Sequence, residues 1–363
     1  MLDQFGPMKF FRGPMMKNRF ALSPLTTTQS HPDGVMSEDD FNWLTYRAEG
    51  GFGLTMTCAA HVQRVGQGFS GQLGVFGEEH LEGLAQLAAG IRKFESVAIV
   101  QLHHAGMRSP KALIGVAPVG PSDNAECGAR AMSTAEVETM IEAFIASAER
   151  CERAGFHGVE LHGAHGYLLA QFLNTEINHR EDCYGGSLEN RARALNAIID
   201  GIRERCRPDF ILGLRLSPEL GMKLAEARTL AQQLMGAGKI DFLDLSLFDC
   251  RKQPNEEAFK GRTLMSWFTD LDRGTVRLGC AGKVMTMDDV RYCLDEGMDF
   301  VLIGRGAIIH HDFPAKLAAD PAFEPVSLPV TAEHLRRERL GPAFLTYLRG
   351  WKEFIAEPAP EPA

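Results

Sequence analysis

The sequence has no apolar run long enough to cross a bilayer. A membrane-spanning helix needs about 18 or more apolar residues in succession, and no segment of the chain approaches that length. The amino-terminal segment, MLDQFGPMKFFRGPMMKNRF, is interrupted by charged residues and lacks the apolar core of a signal peptide. We therefore predict a protein of the cytoplasm that has no membrane partner.

Basic side chains and closely spaced cysteines are also scarce. Lys and Arg number 38 against 47 Asp and Glu, and the resulting net charge of -9 disfavours nucleic acid as a partner. The 8 cysteines form no CxxC pair, so neither a zinc site nor an iron–sulfur cluster has its usual ligand spacing. We expect these cysteines to be reduced, buried thiols.

What the sequence does contain is a regular alternation of short apolar runs and helical segments. Apolar runs too brief for helices are typical of parallel strands that are buried on both faces. Eight such units close most naturally into a single (β/α)8 barrel, an α/β fold of the TIM type. The predicted strands are 19–24, 54–60, 97–102, 159–162, 211–216, 242–247, 276–280 and 300–303.

Helices are predicted between these strands from apolar periodicity and from capping patterns such as the one that runs from Ser133 to Glu136. A carboxyl-terminal amphipathic helix is predicted over 331–355. We expect one domain, 1–356, with a short amino-terminal capping segment, followed by a disordered tail at 357–363. The other predicted helices are 38–50, 78–94, 133–154, 188–206, 225–237 and 286–296.

A doubly wound open sheet is the alternative fold. That fold would place a glycine-rich phosphate loop directly after its first strand. The residues after Pro24 are LTTTQS, which contain no GxGxxG pattern. The barrel is therefore the favoured fold.

The candidate catalytic residues follow the fourth predicted strand, in the stretch GVELHGAHGYLLAQFL. His162 ends that strand, His165 lies in the turn after it, and Tyr167 lies at the start of a helix. Because functional groups of barrels cluster at the carboxyl ends of the strands, we predict that these three side chains face one pocket. The alternative is that they are loop residues whose polar groups bind nearby backbone.

Two other strand ends carry groups suited to an anion. Gly282 and Lys283 follow the seventh strand, and Gly304 and Arg305 follow the eighth. Glycine with a cation at these two positions is typical of the phosphate site of a barrel. Alternatively, Arg305 is a solvated side chain in a strand-to-helix turn.

Two polar residues lie within otherwise apolar strands. An unpaired guanidinium is very unfavourable to bury, so Arg215 must meet an anion or a strong polar acceptor. That acceptor is either a ligand or one of the carboxylates of neighbouring strands, Glu160 or Asp244. Gln101, at the end of the third strand, has an amide suited to the edge of a pyrimidine, or it caps the strand.

Several motifs together resemble the Old Yellow Enzyme family of FMN-dependent ene-reductases. The most specific is HGAHGYLLAQFL followed by NHREDCYGGSLENRAR, and the others are NRFALSPLT, QLHHAG, GLRLSP and VLIGRGAI. They cover nearly the whole chain in the family's order. The resemblance implies a (β/α)8 barrel that binds FMN non-covalently and takes electrons from NADH or NADPH. It also implies reduction of the C=C bond of α,β-unsaturated carbonyl compounds or similarly activated alkenes.

The resemblance further implies roles for individual residues. His162 and His165 would bind the carbonyl oxygen of the substrate. Hydride from flavin N5 would reach the β-carbon, and Tyr167 would deliver a proton to the α-carbon. The implied cofactor-binding set is Pro24, Leu25, Thr26, Ala59, Gln101, His162 and Arg215 around the isoalloxazine, with Gly282, Lys283, Gly304 and Arg305 at the phosphate.

The tail resembles one branch of the family, often called thermophilic-like. Residues 347–351, YLRGW, resemble the terminal segment of that branch, in which the arginine reaches the active site of the neighbouring subunit. We therefore predict a homodimer, or a higher even-numbered homo-oligomer, in which Arg349 binds substrate in trans. Thr26 and Thr28 stand where that branch has cysteine and tyrosine, and Thr28 is a further predicted substrate contact.

Two other functions use some of the same residues. One is an FMN-binding sensor or low-turnover flavoprotein. The other is a metal-dependent barrel hydrolase that uses the strand-end histidines His103, His104, His162 and His165. The HxxH spacing is loose for zinc, and no further ligand follows the other strands, so we predict no metal.

Overall fold

The computed structural model describes residues 2–356, in which eight parallel strands close into a barrel. Each strand pairs in parallel with the next one along the chain, and the last pairs with the first. The predicted (β/α)8 barrel is thus confirmed, and the open-sheet alternative is wrong. The barrel strands are β1 (Phe20–Leu22), β2 (Leu54–His61), β3 (Val97–His103), β4 (Gly158–Gly163), β5 (Ile211–Leu216), β6 (Phe242–Ser246), β7 (Arg277–Ala281) and β8 (Phe300–Ile303).

Helices connect the barrel strands. The predicted capping pattern at Ser133 is confirmed, since its hydroxyl accepts the Glu136 N–H and the Glu136 carboxylate accepts the Ser133 N–H. The helices are α1 (Glu38–Glu49), α2 (Leu81–Arg92), α3 (Lys111–Ile114), α4 (Thr134–Arg153), α5 (Leu168–Leu173), α6 (Leu188–Arg191), α7 (Arg193–Arg205), α8 (Leu224–Ala237), α9 (Ser266–Thr269), α10 (Met287–Asp295), α11 (Arg305–Ile309), α12 (Phe313–Ala319), α13 (Ala332–Arg337) and α14 (Pro342–Leu348).

The prediction of one helix over 331–355 is wrong. The structure has two shorter helices there, α13 and α14. Pro342 lies in the first turn of α14 and has no N–H with which to continue α13. Arg339, with a φ of 58°, turns the chain just before it. The last described residues are not helical either, and Ile355 pairs with Val330 in a parallel bridge.

The amino-terminal end of the barrel is closed by apolar side chains. The chain before β1 forms a short hairpin, Met8–Lys9 with Met15–Met16. Phe10 of this hairpin lies 5.3 Å from Phe242 and 5.9 Å from Phe300 between ring centroids. These rings belong to a buried apolar cluster drawn mainly from the barrel strands. The amino-terminal segment therefore caps the barrel, as predicted, and leaves the opposite end open.

Within residues 2–356, no helix is both long enough and apolar enough to cross a membrane. The predicted disordered tail, 357–363, lies outside the described residues.

Candidate active site

One cavity opens at the carboxyl ends of the barrel strands. Its volume is about 550 Å³, within the usual range for sites that hold a small molecule or cofactor. All of the predicted site residues line this cavity except Thr28 and Arg349. The predicted residues along its wall are Pro24, Leu25, Thr26, Ala59, Gln101, His162, His165, Tyr167, Arg215, Gly282, Lys283, Gly304 and Arg305.

Thr28 and Arg349 lie away from the cavity wall of their own chain. Thr28 has a φ of 56°, and its hydroxyl donates to the Thr27 carbonyl at 2.7 Å, which directs the side chain to its own backbone. Arg349 is exposed and follows α14. The substrate contacts predicted for these two residues are therefore not formed within one chain, and the role of Arg349 in trans stays a prediction.

A left-handed turn after β4 brings the three candidate catalytic residues together. His165 and Gly166 have φ angles of 57° and 70°, so the chain reverses within two residues, and Tyr167 then caps α5. The ring centroid of His162 lies 5.1 Å from that of His165 and 5.0 Å from that of Tyr167. These side chains share one wall of the cavity.

His162 is a neutral imidazole whose proton lies on Nε2. Its Nδ1 accepts the Ala164 N–H at 3.4 Å, and a neutral ring carries its single proton on the other nitrogen. Burial, together with the neighbouring His165, lowers the pKa of His162 well below its usual range. At neutral pH His162 therefore offers one donor, at Nε2.

His165 is bonded to the hydroxyl of Ser246 at the end of β6. Its Nε2 lies 2.7 Å from Ser246 Oγ, and Arg215 Nη2 donates to the same oxygen at 3.4 Å. Ser246 Oγ thus accepts from Arg215 and shares one hydrogen with His165 Nε2, and the ring proton of His165 lies on Nδ1 when Ser246 is the donor. Burial, with Arg215 nearby, lowers the pKa of His165 to about 3. His165 is thus a second neutral donor.

Two fully buried carboxylates hold the polar side chains of neighbouring strands. Arg215 Nε lies 3.1 Å from Asp244 Oδ2, so the ion pair with Asp244 that the sequence left open is present. Gln101 Nε2 donates to Glu160 Oε2 at 2.6 Å, which leaves the Gln101 carbonyl oxygen as an acceptor for a ligand. Burial raises the pKa of both carboxyl groups, and the proximity of Asp244 raises that of Glu160 further.

The ends of β7 and β8 form another part of the wall. Gly304 is the N-cap of α11, and Arg305 is the first residue of that helix. The first amides of a helix have no carbonyl partner within it and are available to an anion. A Cβ built on Gly304 would meet no heavy atom closer than 3.7 Å, whereas one built on Gly282 would lie 2.7 Å from the Cys250 nitrogen. Backbone at Gly304 is therefore open to a ligand, and Gly282 is required for packing.

The side chains present fit a bound FMN. Lys283 and Arg305 supply positive charge where a phosphate would lie, beside the open backbone of Gly304. Gln101 and Arg215 supply an acceptor and a donor suited to a pyrimidine edge. This donor set agrees with the cofactor that the sequence motifs imply.

The strand-end histidines do not gather as metal ligands anywhere in 2–356. The one group of three potential ligands found there is His310, His334 and Glu338, and none of these residues lines the cavity. His310 Nε2 accepts the Val326 N–H at 3.1 Å, so a neutral His310 ring carries its proton on Nδ1 and has no lone pair left for a metal. The hydrolase alternative gains no support from this geometry.

The cavity also contains residues that the sequence analysis did not predict. The Arg108 guanidinium lies 4.6 Å from the ring centroid of Tyr167 and donates to the His165 carbonyl at 2.6 Å. Tyr347 and Trp351 line the cavity of their own chain, although the YLRGW segment had indicated only a contact with a partner. His103, which the sequence indicates only as a candidate metal ligand, also lines the cavity, and the remaining unpredicted residues are Ser23, Phe69, Leu220, Ser246, Phe248, Ala281, Val284, Met285 and Leu302.

Comparison with known proteins identifies the family of the chain. The family model described as the NADH:flavin oxidoreductase / NADH oxidase family matches residues 3–322. The chain is 34% identical over 325 residues to the probable NADH-dependent flavin oxidoreductase YqiG of Bacillus subtilis (strain 168), a match that covers 86% of this chain and 87% of YqiG. The chain belongs to this family. Its predicted membership of the Old Yellow Enzyme family is thereby confirmed, and the protein is an FMN-dependent NAD(P)H oxidoreductase.

Some members of the family are much longer. The NADH:fumarate oxidoreductase of Klebsiella pneumoniae (strain 342) is 32% identical over 335 residues, which are 88% of this chain but 36% of that protein. A solved complex of 2-naphthoyl-CoA reductase has a TM-score of 0.80 and 27% identity, covering 88% of this chain and 52% of that one. The Old Yellow Enzyme homologue of Zymomonas mobilis, at a TM-score of 0.79 and 23% identity over 92% of this chain and 96% of its own, supports the fold.

Proposed function

We propose that this oxidoreductase reduces the C=C bond of α,β-unsaturated carbonyl compounds and similarly activated alkenes. The observation that carries the proposal is the contact between His162 and Tyr167, whose ring centroids lie 5.0 Å apart on one wall of the cavity. One ring offers a neutral N–H donor, and the other offers a hydroxyl proton. A single substrate at this wall has both a group that polarises its carbonyl and a group that protonates its carbon.

The two histidines would bind the activating oxygen of the substrate. The donors in this proposal are His162 Nε2–H and His165 Nδ1–H, the latter with Ser246 donating to His165 Nε2. Donors fixed in a buried site stabilise negative charge on an oxygen as a carbonyl becomes an enolate. Because that charge is larger in the transition state than in the bound substrate, these hydrogen bonds accelerate the reaction and do more than bind.

FMN held in this cavity would supply hydride for the β-carbon of the substrate, with NADH or NADPH as the source of the electrons. Gln101 and Arg215 would hold the pyrimidine ring non-covalently, and the ion pair with Asp244 orients the Arg215 guanidinium. Lys283 and Arg305 would neutralise the phosphate.

Tyr167 would give its hydroxyl proton to the α-carbon of the substrate. The O–H bond breaks as the C–H bond forms, and negative charge is left on the phenol until solvent returns a proton. The Arg108 guanidinium, 4.6 Å from the centroid of the Tyr167 ring, stabilises that charge.

The solved relative that matches this chain at 27% identity supports the choice of substrate. That protein is named a 2-naphthoyl-CoA reductase, and the ring double bonds of a naphthoyl thioester are conjugated to a carbonyl. The chain spans 52% of that protein, so we carry over the class of bond and not the naphthoyl group.

We also propose a cytoplasmic homodimer. All 8 cysteines are free thiols, the form that a reducing compartment maintains. Arg349 is exposed between Tyr347 and Trp351, two residues that line the cavity. A second copy that docks beside this segment would bring its own arginine to the cavity mouth.

The test separates the two halves of the reaction in the purified holoprotein. Anaerobic reduction by NADH or NADPH and reoxidation by cyclohexenone are each followed by visible absorbance. Tyr167→Phe should leave the reduction nearly unchanged and slow reoxidation about 100-fold, because only the second half needs the proton. Since the pKa of His165 is lowered to about 3, the reoxidation rate should show no step near pH 6.5.

Tyr184→Phe is the matched control, because Tyr184 is buried outside the cavity. It should change neither half-reaction. Equal losses in both halves for Tyr167→Phe would show that the hydroxyl is structural. Failure of cyclohexenone, an enal and a maleimide to reoxidise the reduced wild-type protein would instead favour the sensor, and a step near pH 6.5 would contradict the neutral histidines.

A further inference from the structure

His103 is a buried histidine of the cavity wall that the proposed reaction does not use. It is the last residue of β3, and its side chain is 1% exposed. Its ring centroid lies 4.4 Å from that of Tyr167 with the planes at 77°, and 5.3 Å from that of His162. Two nearly perpendicular rings at 4.4 Å place the edge of one against the face of the other.

A chain of hydrogen bonds fixes the proton of this ring. The Gly68 N–H donates to Gln72 Oε1 at 2.7 Å, so the amide group of Gln72 has one orientation. Its Nε2 then donates to the Ala59 carbonyl at 2.9 Å and to His103 Nδ1 at 3.0 Å. Because Nδ1 accepts, the ring proton lies on Nε2.

The Nε2–H of His103 has no hydrogen-bond partner among residues 2–356. Burial, with the neighbouring His104, lowers the pKa of His103 well below its usual range, so the ring is neutral. A buried donor without an acceptor is unfavourable. The aromatic ring of Tyr167 is the electron-rich group beside it, and an N–H donor is attracted to such a ring.

We propose that His103 is a positioning residue for Tyr167, whose ring it holds by an N–H contact that strengthens as the phenol loses its proton. The proposal rests on the proposed function, in which Tyr167 is the proton donor. The proton moves from the Tyr167 oxygen to the α-carbon of the substrate, and His103 keeps its own N–H throughout. His103 does not donate that proton. A neutral ring that gave up its Nε2 hydrogen would need a new proton at Nδ1, and the Gln72 amide beside Nδ1 has no acidic proton to give.

The neutral and ionised states of the Tyr167 phenol differ in how strongly they attract the groups beside the ring. When the hydroxyl proton leaves, negative charge spreads into the ring, and both the His103 N–H and the Arg108 guanidinium become more strongly attracted to it. An interaction that is stronger in the transition state than in the bound substrate increases kcat without lowering KM. The effect should therefore appear in the rate of reoxidation and not in substrate affinity.

The test compares two substitutions that separate the donor from the ring. His103→Phe keeps an aromatic ring and removes the N–H, whereas His103→Gln removes the ring and keeps an N–H at a similar distance from the backbone. His103→Phe should slow reoxidation by an enone about fivefold with KM unchanged. The separate variant His103→Gln should retain most of the wild-type rate of reoxidation. Reduction by nicotinamide should be unchanged in both.

A third variant moves the ring proton of His103 from Nε2 to Nδ1 without replacing His103 itself. In Gln72→Glu, a carboxylate accepts from His103 Nδ1–H, so a neutral His103 ring has no hydrogen on Nε2 and presents a lone pair to Tyr167. Reoxidation should slow as much as in His103→Phe. A rate equal to wild type in this variant and in His103→Phe would overturn the proposal, and this pair of measurements does not depend on His103→Gln folding well.

The double variant Tyr167→Phe with His103→Phe tests the role of His103 separately from the role of Tyr167 as proton donor. In a Tyr167→Phe background, His103→Phe should cause no further slowing, because the phenol whose ionisation it assists is absent. The same fivefold slowing in that background would show that His103 acts on substrate packing, and the inference fails alone. If Tyr167→Phe by itself does not slow reoxidation, the proposed proton donor fails first.

Discussion

Burial determines what the histidines of this site can do. The pKa of His162 is lowered well below its usual range and that of His165 to about 3, in both cases mainly because burial disfavours the charged ring. A neutral ring has one donor, so its hydrogen-bond partner decides where that donor lies. The sequence predicts both histidines as site residues. It does not predict Ser246 as the partner of His165, because the two are 81 residues apart and meet only through the barrel.

Arg215 shows the same limit of sequence reasoning. A guanidinium inside an apolar strand must have a partner, and this part of the prediction needs no structure. The identity of the partner depends on strand register, since Asp244 of β6 lies directly opposite Arg215 of β5. Glu160, the other candidate, accepts from Gln101. Residue chemistry alone leaves both carboxylates equally available.

Phe248 is an exposed aromatic residue that we expect to shape substrate affinity. It lines the cavity, is 76% exposed and has a φ of 60°. Removing the ring should raise KM for a bulky apolar enone about tenfold, because loss of about 50 Å² of apolar contact at about 25 cal/mol per Å² is near 1.3 kcal/mol. Steady-state kinetics with one small and one aryl-substituted enone measure this effect.

Glycine and alanine at this position separate affinity from backbone strain. Phe248→Gly and Phe248→Ala should raise KM equally, because both remove the ring. Only glycine relieves the left-handed backbone, so Phe248→Gly should be more stable than Phe248→Ala by about 0.5–1 kcal/mol in urea unfolding. Equal stabilities would contradict the strain, and an unchanged KM in both variants would exclude a substrate contact.

At the scale of secondary structure, the strands are the most predictable elements. The predicted bounds of β5 and β8 match those observed, because a short apolar run buried on both faces has clear ends. The prediction of one long final helix is wrong because it follows an apolar periodicity that continues through Pro342, whereas the structure has two helices there. The local rule against proline in a helix outweighs that periodicity. The loops after β3 and β6, which carry Arg108 and Phe248, have no period from which to predict their course.

The start of β6 depends on one buried carboxylate, which gives a prediction about stability. Asp241 is fully buried and accepts from the Leu212 N–H at 2.8 Å, Arg203 Nη2 at 2.7 Å and Arg12 Nη1 at 3.2 Å. Asp241→Asn removes the charge that both guanidinium groups share. It should lower the free energy of unfolding by about 3 kcal/mol in urea titrations.

Asp200→Asn is the control for this prediction. Asp200 pairs with Lys239 at 2.6 Å, but the two side chains are 56% and 49% exposed, so the loss should be less than about 1 kcal/mol. Neither variant should change flavin reduction, because Asp241 and Asp200 lie outside the cavity. Similar losses for both, or a changed rate of reduction, would contradict this assignment.

At the scale of the whole molecule, the barrel separates stability from chemistry. The hairpin and its aromatic rings close one end, together with structural ion pairs such as that of Asp241, whereas the cavity and its histidines occupy the other. The sequence predicts this division, because the apolar parts of the strands precede the polar residues that follow them. The order of apolar strands and polar strand ends does not predict contacts between copies of the chain. The predicted role of Arg349 in trans depends on such contacts.

If Arg349 acts in trans, its effect requires a second copy. Light scattering should then show an even-numbered oligomer, and Arg349→Ala should raise KM for the enone about tenfold, because one charge-assisted hydrogen bond is lost. Lys352→Ala, an exposed cation three residues later, should leave KM unchanged. A monomer in solution would contradict the prediction at once.

Mixing two defective chains tests the trans arrangement directly. A heterodimer contains one Tyr167→Phe chain and one Arg349→Ala chain. In the trans arrangement, one of its two sites combines the intact Tyr167 of the Arg349→Ala chain with the intact Arg349 of the Tyr167→Phe chain. Co-expressed chains should therefore reoxidise with an enone at low concentration faster than the average of the two separate homodimers. If Arg349 served the cavity of its own chain, no site in the mixture would be complete, and the rate would equal that average.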